Sequence, residues 1–289
     1  MKAALQSLGL PILTEKTFND FRALIFEKTG IRMRDGKQIL ISNRLRRRLA
    51  ALHLSSYEEY YSLLASGRAG QEELHAFIDA VSTNETYFYR EGNHFIALGK
   101  IILPEILKCK SCLSIWSAGC STGEEAYTLR IVVDEALNAI GGHSLPTATI
   151  VGTDISTSVI ARAREGVYNE RALRLVPPAA LSRYFTDAQE GLRQVREEIR
   201  ARVDFRVHNL FKDPSPGGPF DIIFCRNVMI YFDKPTQSKL VDEIFASALD
   251  PDGYLFIGHS ESVSGFSRNF RYFPALKAPI YRKKKEARP

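Results

Sequence analysis

The stretch Leu113-Ser-Ile-Trp-Ser-Ala-Gly-Cys-Ser-Thr-Gly-Glu-Glu-Ala-Tyr127 constrains the fold of this chain more than any other. An apolar run ends at Ala118, a loop bounded by Gly119 and Gly123 follows, and a helical pattern starts at Glu124. A strand that turns through glycines into a helix is how α/β folds present a small-molecule site. Glycines let the backbone turn sharply and come close to a ligand. Two acids in the first helical turn disfavour a phosphate there, because phosphate sites of this geometry use a bare helix N-terminus. The loop therefore suits a nucleoside ligand whose attached group is not anionic.

The rest of the chain supplies a context for that loop. Apolar runs rich in β-formers occur at 113–117, 149–153, 203–207, 220–225, 254–258 and near 279–282. Helical patterns at 124–138, 156–165 and 235–249 separate several of them. Strand alternating with helix predicts a mostly parallel sheet covered on both faces. Segment 166–202 breaks the alternation with Pro177-Pro178 and a charge-rich end, and reads as an inserted subdomain with short antiparallel strands. Residues 14–100 read as helical instead. Phe18, Phe21, Leu24 and Ile25 fall at helix spacing before a stop at Gly30, and a second helix spans about 37–52. Ser55 or Ser56 can cap a third helix through Leu64, with Glu58 or Glu59 near the capping-box position, and 72–81 reads as a fourth. The expected organisation is an all-α domain over 1–80, a linker over 81–110 and an α/β domain over 111–289. The tail Arg282–Pro289 is expected to fray.

Charge and cysteine usage narrow the setting. A net charge of +6 points to an anionic partner, whether nucleic acid, membrane surface or acidic protein. Arg32, Arg34, Lys37, Arg44, Arg46, Arg47 and Arg48 stand against the single acid Asp35, which suits docking on an acidic surface. No motif for reading or flipping bases accompanies them, so nucleic acid is not the expected partner. Cys109, Cys112, Cys120 and Cys225 form no disulfide framework, and the one C-x-x-C lacks the second pair a zinc site needs. No apolar run is long enough to span a membrane, and the N-terminus has no signal-peptide layout. A reduced, cytoplasmic setting is expected.

Candidate site residues cluster at strand ends. Asp154 ends the second run, where an acid can accept hydrogen bonds from ribose hydroxyls; its alternative is a helix cap. Asn209, after 203–207, suits an adenine edge or simply a turn. Arg226 and Tyr231 follow the run Phe220–Cys225; the arginine can clamp a carboxylate, or both can be surface and packing residues. Gly119-Cys-Ser-Thr-Gly123 also spells the nucleophile elbow of a serine hydrolase, with His259 and Asp221 or Asp233 as partners for Ser121. The junction Val81–Glu91 is dense in polar groups and aromatics, with Arg90 its most interesting charge.

Five segments together resemble the CheR-type chemotaxis receptor methyltransferases: Thr83–Glu91, Trp116–Glu125, Thr153–Ser156, Phe224–Phe232 and Gly258–Glu261. They occur in the family's order and the resemblance covers roughly 14–283. It implies a doubly wound, Rossmann-like methyltransferase domain with an inserted β-subdomain, preceded by an all-α domain. It implies S-adenosylmethionine as methyl donor, S-adenosylhomocysteine as product and no metal. Receptor glutamate side chains would be the acceptors. Carried onto matching positions, Asn84, Thr86 and Arg90 meet the cofactor from the junction. Glu125 and the Ala118–Gly119 backbone approach its methionine end and ribose, and Asp154 holds the ribose. Asn209 and Leu210 frame adenine, Asn227 and Arg226 also contact the cofactor, and Arg226 and Tyr231 face the methyl-transfer site. The acids at the helix start then face a cationic donor. The basic helix, through Arg44, Arg47 and Arg48, docks the receptor's helical bundle. In one respect the chain departs from members that tether to a receptor pentapeptide. Its loop Tyr184–Leu192 is about three residues shorter, so tether-independent action is expected. A monomer is expected, with no nucleic-acid partner and no membrane insertion.

Overall fold

A computed structural model describes residues 11–140 and 147–284. The chain forms two compact units. One runs to Thr83 and includes the short stretches Ile155–Thr157 and Tyr231–Asp233; the other takes the rest from Asn84 onward.

The first unit packs four helices: α1 (Glu15–Thr29), α2 (Gln38–Ala51), α3 (Tyr57–Ala65) and α4 (Gly70–Val81). Their ends follow from local chemistry. Thr14 caps α1 by accepting the Thr17 N–H, and Gly30 ends it at φ 72°, a left-handed conformation suited to glycine. Ser56 caps α3 by accepting the Glu59 N–H, and the Glu59 carboxylate accepts from Ser55 N–H in return. The apolar stripes meet in a core containing Phe21, Ile25, Ile41, Leu45, Tyr57, Tyr60 and Phe77.

The second unit is α/β. Helix α5 (Asn93–Ala97) passes through a π-turn at Leu98–Ile102 into α6 (Leu103–Leu107). Phe95, Leu98, Ile102 and Leu103 are buried in the α/β core, so most of the stretch read as a linker belongs to this unit. Its strands are β1 (Cys112–Ala118), β2 (Thr147–Asp154), β3 (Val167–Tyr168), β4 (Phe185–Asp187), β5 (Arg193–Val195), β6 (Val203–Val207), β7 (Phe220–Cys225), β8 (Leu249–Ile257), β9 (Phe270–Ala275) and β10 (Ala278–Lys283). Helix α7 (Glu124–Ile140) follows β1, and α8 (Thr157–Glu165) follows β2. The main sheet has the order β6-β2-β1-β7-β8-β10-β9. It is parallel from β6 to β8, and β10 and β9 pair antiparallel at the edge. β3, β5 and β4 form a separate small antiparallel sheet, as the break in alternation at 166–202 predicted.

The strand order reverses between β1 and β7, and ligands of such sheets bind at the carboxyl ends beside that point. Two segments differ from the sequence reading. β9 has no counterpart in it, and Arg282 and Lys283 of the supposedly frayed tail lie in β10. Residues 285–289 fall outside the described ones.

Candidate active site

The loop after β1 is fixed by its own backbone. Gly119 and Cys120 N–H both donate to the Thr153 carbonyl at 2.8 Å, tying the loop to the end of β2. Gly119 sits at φ 84°, and a Cβ there would lie 2.4 Å from Val228 Cγ2, so only glycine fits. The Trp116 indole N–H, buried below, donates to Thr153 Oγ1 at 2.9 Å. Ser121 N–H donates to Asp154 Oδ2 at 2.9 Å, which holds that carboxylate beside the loop. Ser121 Oγ donates to the Asn84 carbonyl at 3.0 Å, and His259 pairs with Glu91. The hydrolase arrangement, in which a histidine activates Ser121, is therefore not assembled.

The start of α7 concentrates buried acid. Glu124 accepts from Thr122 Oγ1 at 2.7 Å, and Glu125 accepts from Ser117 Oγ at 2.7 Å. Burial pushes both carboxyls above their ordinary range; Arg226 beside Glu125 offsets part of its rise. A cationic ligand would relieve that cost, and an anionic one would add to it.

Arg226 is the hub of the loop after β7. Its side chain is 2% exposed. It donates to Glu125 Oε2 at 3.0 Å, to Glu91 Oε2 at 3.1 Å and to the Arg90 carbonyl. Its guanidinium lies 5.3 Å from the Phe95 ring centre. Asn227, at φ 59°, donates from Nδ2 to Glu91 Oε1 at 3.3 Å. Burial would raise the Glu91 carboxyl, but Arg226, His259 and Asn227 overcome it and hold it down at about 2. Glu261 secures the same loop by accepting from the N–H groups of Asn227, Gly258 and Ile230. The sequence reading missed Glu91, Ser117 and Glu261 as site builders. All three lay inside segments it had quoted but were not singled out there.

The other expected residues are placed as follows. Asn84 and Thr86 are half-buried in the segment before α5, with the Asn84 carbonyl on the loop after β1. Arg90 donates to the Glu85 carbonyl at 2.7 Å and lies 5.8 Å from the Tyr87 ring centre. No ion pair engages it among the described residues, unlike Arg226. Ala118 is fully buried at the end of β1. Asn209 follows β6, and its Oδ1 accepts from Phe211 N–H at 3.0 Å, the turn geometry named as its alternative. Leu210 is half-buried beside it. Tyr231 belongs to the helical unit, where its carbonyl accepts from Arg32 N–H at 2.8 Å.

The basic helix is less open than its sequence suggests. Arg44 donates to the Val81 carbonyl and to Thr83 Oγ1, and Arg48 pairs with Glu73. Arg47 is exposed.

Comparisons with known proteins accord with this geometry. Residues 16–82 match the family model described as CheR methyltransferase, all-alpha domain, and residues 84–278 match CheR methyltransferase, SAM binding domain. The chain is 40% identical over 262 residues to the chemotaxis protein methyltransferase of Salmonella typhimurium, covering 89% of this chain and 88% of that protein. It is 41% identical over 253 residues to chemotaxis protein methyltransferase 2 of Pseudomonas aeruginosa, covering 86% and 87%. It is 37% identical over 268 residues to the chemotaxis protein methyltransferase of Borreliella burgdorferi, covering 90% and 92%.

Proposed function

Because the chain belongs to the CheR methyltransferase family, we propose that it methylates glutamate side chains on chemoreceptor helices. The products would be glutamate methyl esters and S-adenosylhomocysteine. The observation that carries the reading is the acid pair at the start of α7, Glu124 buried and Glu125 with its side chain 13% exposed, beside Asp154 at the carboxyl end of β2.

The residues present fit S-adenosylmethionine. Glu124 is buried and Glu125 half-buried where a phosphate-binding fold would leave bare N–H groups, and the pair suits an ammonium or sulfonium. Asp154, braced by Ser121 N–H, suits ribose hydroxyls. Asn84, Thr86, the Ala118–Gly119 backbone, Leu210 and Asn227 complete the proposed cradle. Asn209 joins it through whatever its turn leaves available.

When bound, the cofactor supplies an electrophilic methyl group. The acceptor needs no general base, because a glutamate of pKa near 4.3 is already a carboxylate at neutral pH. The chain's task is positioning and exclusion of water. Arg226 is occupied by Glu91, Glu125 and the Arg90 carbonyl, so its role is to orient Glu125 and the segment carrying Arg90. Arg90 then offers its guanidinium to a carboxylate. Arg47 on the exposed side of α2 supports docking on the acidic receptor bundle.

The test is incubation with labelled S-adenosylmethionine and receptor cytoplasmic fragments. Base-labile label on the receptor, lost in Arg90→Ala, supports the reading. Label that resists base would contradict it.

A further inference from the structure

Glu91, His94 and His259 converge beside the site without being needed to touch cofactor or acceptor. One donor atom from each lies within 4.8 Å of the other two. His259 Nδ1 is 2.9 Å from Glu91 Oε2, and His94 Nδ1 is 3.6 Å from the same oxygen. The two imidazole rings stand 5.0 Å apart at 74°. His94 Nδ1 also lies 3.2 Å from the Glu91 carbonyl. Nδ1 is thus the His94 nitrogen that faces the Glu91 carboxylate, and an ion bound there would take its lone pair, leaving the ring proton on Nε2. At 44% exposure the His259 side chain gives a small ion a way in.

We propose that Glu91, His94 and His259 bind a divalent transition-metal ion of the zinc type, and that the bound ion antagonises Arg226. Two imidazoles and one carboxylate suit zinc, nickel or copper rather than calcium or magnesium, which favour all-oxygen sites. Three protein ligands leave a position for water, as in open zinc sites. The antagonism follows from a shared atom. Glu91 Oε2 accepts from Arg226 at 3.1 Å, and a dication on that oxygen repels the guanidinium. Arg226 also braces Glu125, so its displacement would disturb the proposed cofactor end of the site. The ion is thus an inhibitor and not a participant in methyl transfer. The inhibitory half rests on the methyltransferase reading; metal binding does not.

Cobalt(II) serves as a spectroscopic probe of such sites. Titration into the full-length protein should give visible d–d bands that saturate at one ion per chain and vanish on adding zinc. His259→Ala removes an exposed ligand and should abolish the bands. Zinc should also suppress receptor methylation reversibly on chelation. In His259→Ala, scaled to its own metal-free rate, half-inhibition should need about tenfold more zinc or higher. Absent bands, or bands unchanged in His259→Ala, would overturn the site. Saturating bands with undiminished methylation would overturn the antagonism. If no methylation is detected at all, the cobalt spectrum still decides the binding half, so the two readings fail separately.

Discussion

Arg226 shows how a residue's meaning changes between sequence and fold. As a sequence it is an arginine just past a strand end, equally a clamp for substrate or a surface charge. In the folded chain it is buried between two carboxylates and a carbonyl. Removing one partner from a buried ionic network typically costs about 3–5 kcal/mol, because the remaining charges lose compensation. Arg226→Ala should therefore lower the melting temperature as well as methylation, in thermal unfolding and activity assays run side by side. Loss of activity at unchanged stability would assign Arg226 to substrate instead. Glu125 gives a pH prediction. Burial raises its pKa, so acidification should neutralise it at a pH above the ordinary glutamate range. If it holds a cationic end of the cofactor, affinity for S-adenosylhomocysteine should weaken as pH falls through that raised pKa. Glu125→Gln should flatten the profile in calorimetric titrations. A wild-type profile with no weakening would remove Glu125 from the cofactor site. The glycine loop after β1 and the position of Asp154 at the end of β2 were legible from sequence because turn chemistry and strand end coincide there. Glu91 and Glu261 were not, because their partners lie far along the chain, Glu91 meeting Arg226 and Glu261 meeting Asn227; Ser117 meets Glu125 only eight residues on, but as a serine inside a strand it carries no signal of its own.

Elements with strong local signals were readable in advance. The stripes of α1 to α3, the serine cap of α3, and the apolar runs of β1, β2, β6 and β7 all fold as their patterns predict. β9 escaped notice for physical reasons. It carries Pro274, tolerated because β9 is the sheet edge. It joins β10 through Leu276-Lys277, both at positive φ, where asparagine and glycine would have announced a hairpin. The loop after β1 depends on Gly119. Gly119→Ala combines about 1–2 kcal/mol of left-handed backbone cost with a clash against Val228. It should weaken S-adenosylhomocysteine binding before it unfolds the domain, measured by calorimetry beside circular dichroism. Equal binding by the variant would show that the close approach is unnecessary. The docking face proposed for α2 is separable too. Arg48→Glu breaks the pair with Glu73 and should destabilise the helical unit. Arg47→Glu should leave stability unchanged yet slow receptor methylation, more at low salt, where surface charges are least screened. Equal rates for Arg47→Glu and wild type at low salt would move the docking surface elsewhere.

At the scale of the whole molecule, two units with separate cores divide the work. The helical unit carries the basic helix and Tyr231, and the α/β unit carries the acid pair, Asp154 and the Arg226 network. An overall charge of +6 is consistent with an acidic protein partner. No helix among the described residues is long and apolar enough to cross a membrane. β4 and β5 of the inserted small sheet are joined by residues 188–192, and we propose that receptor methylation proceeds without a tethering peptide. The central claim is that the buried acids prepare this site for a cationic methyl donor and a glutamate acceptor. Mass-spectrometric mapping of a receptor fragment after incubation with enzyme and S-adenosylmethionine tests it most directly. The account predicts a methyl ester on glutamate side chains of the receptor helices, absent with Arg90→Ala. A methyl group on nitrogen or sulfur, or an unmodified receptor despite saturating cofactor, would contradict it.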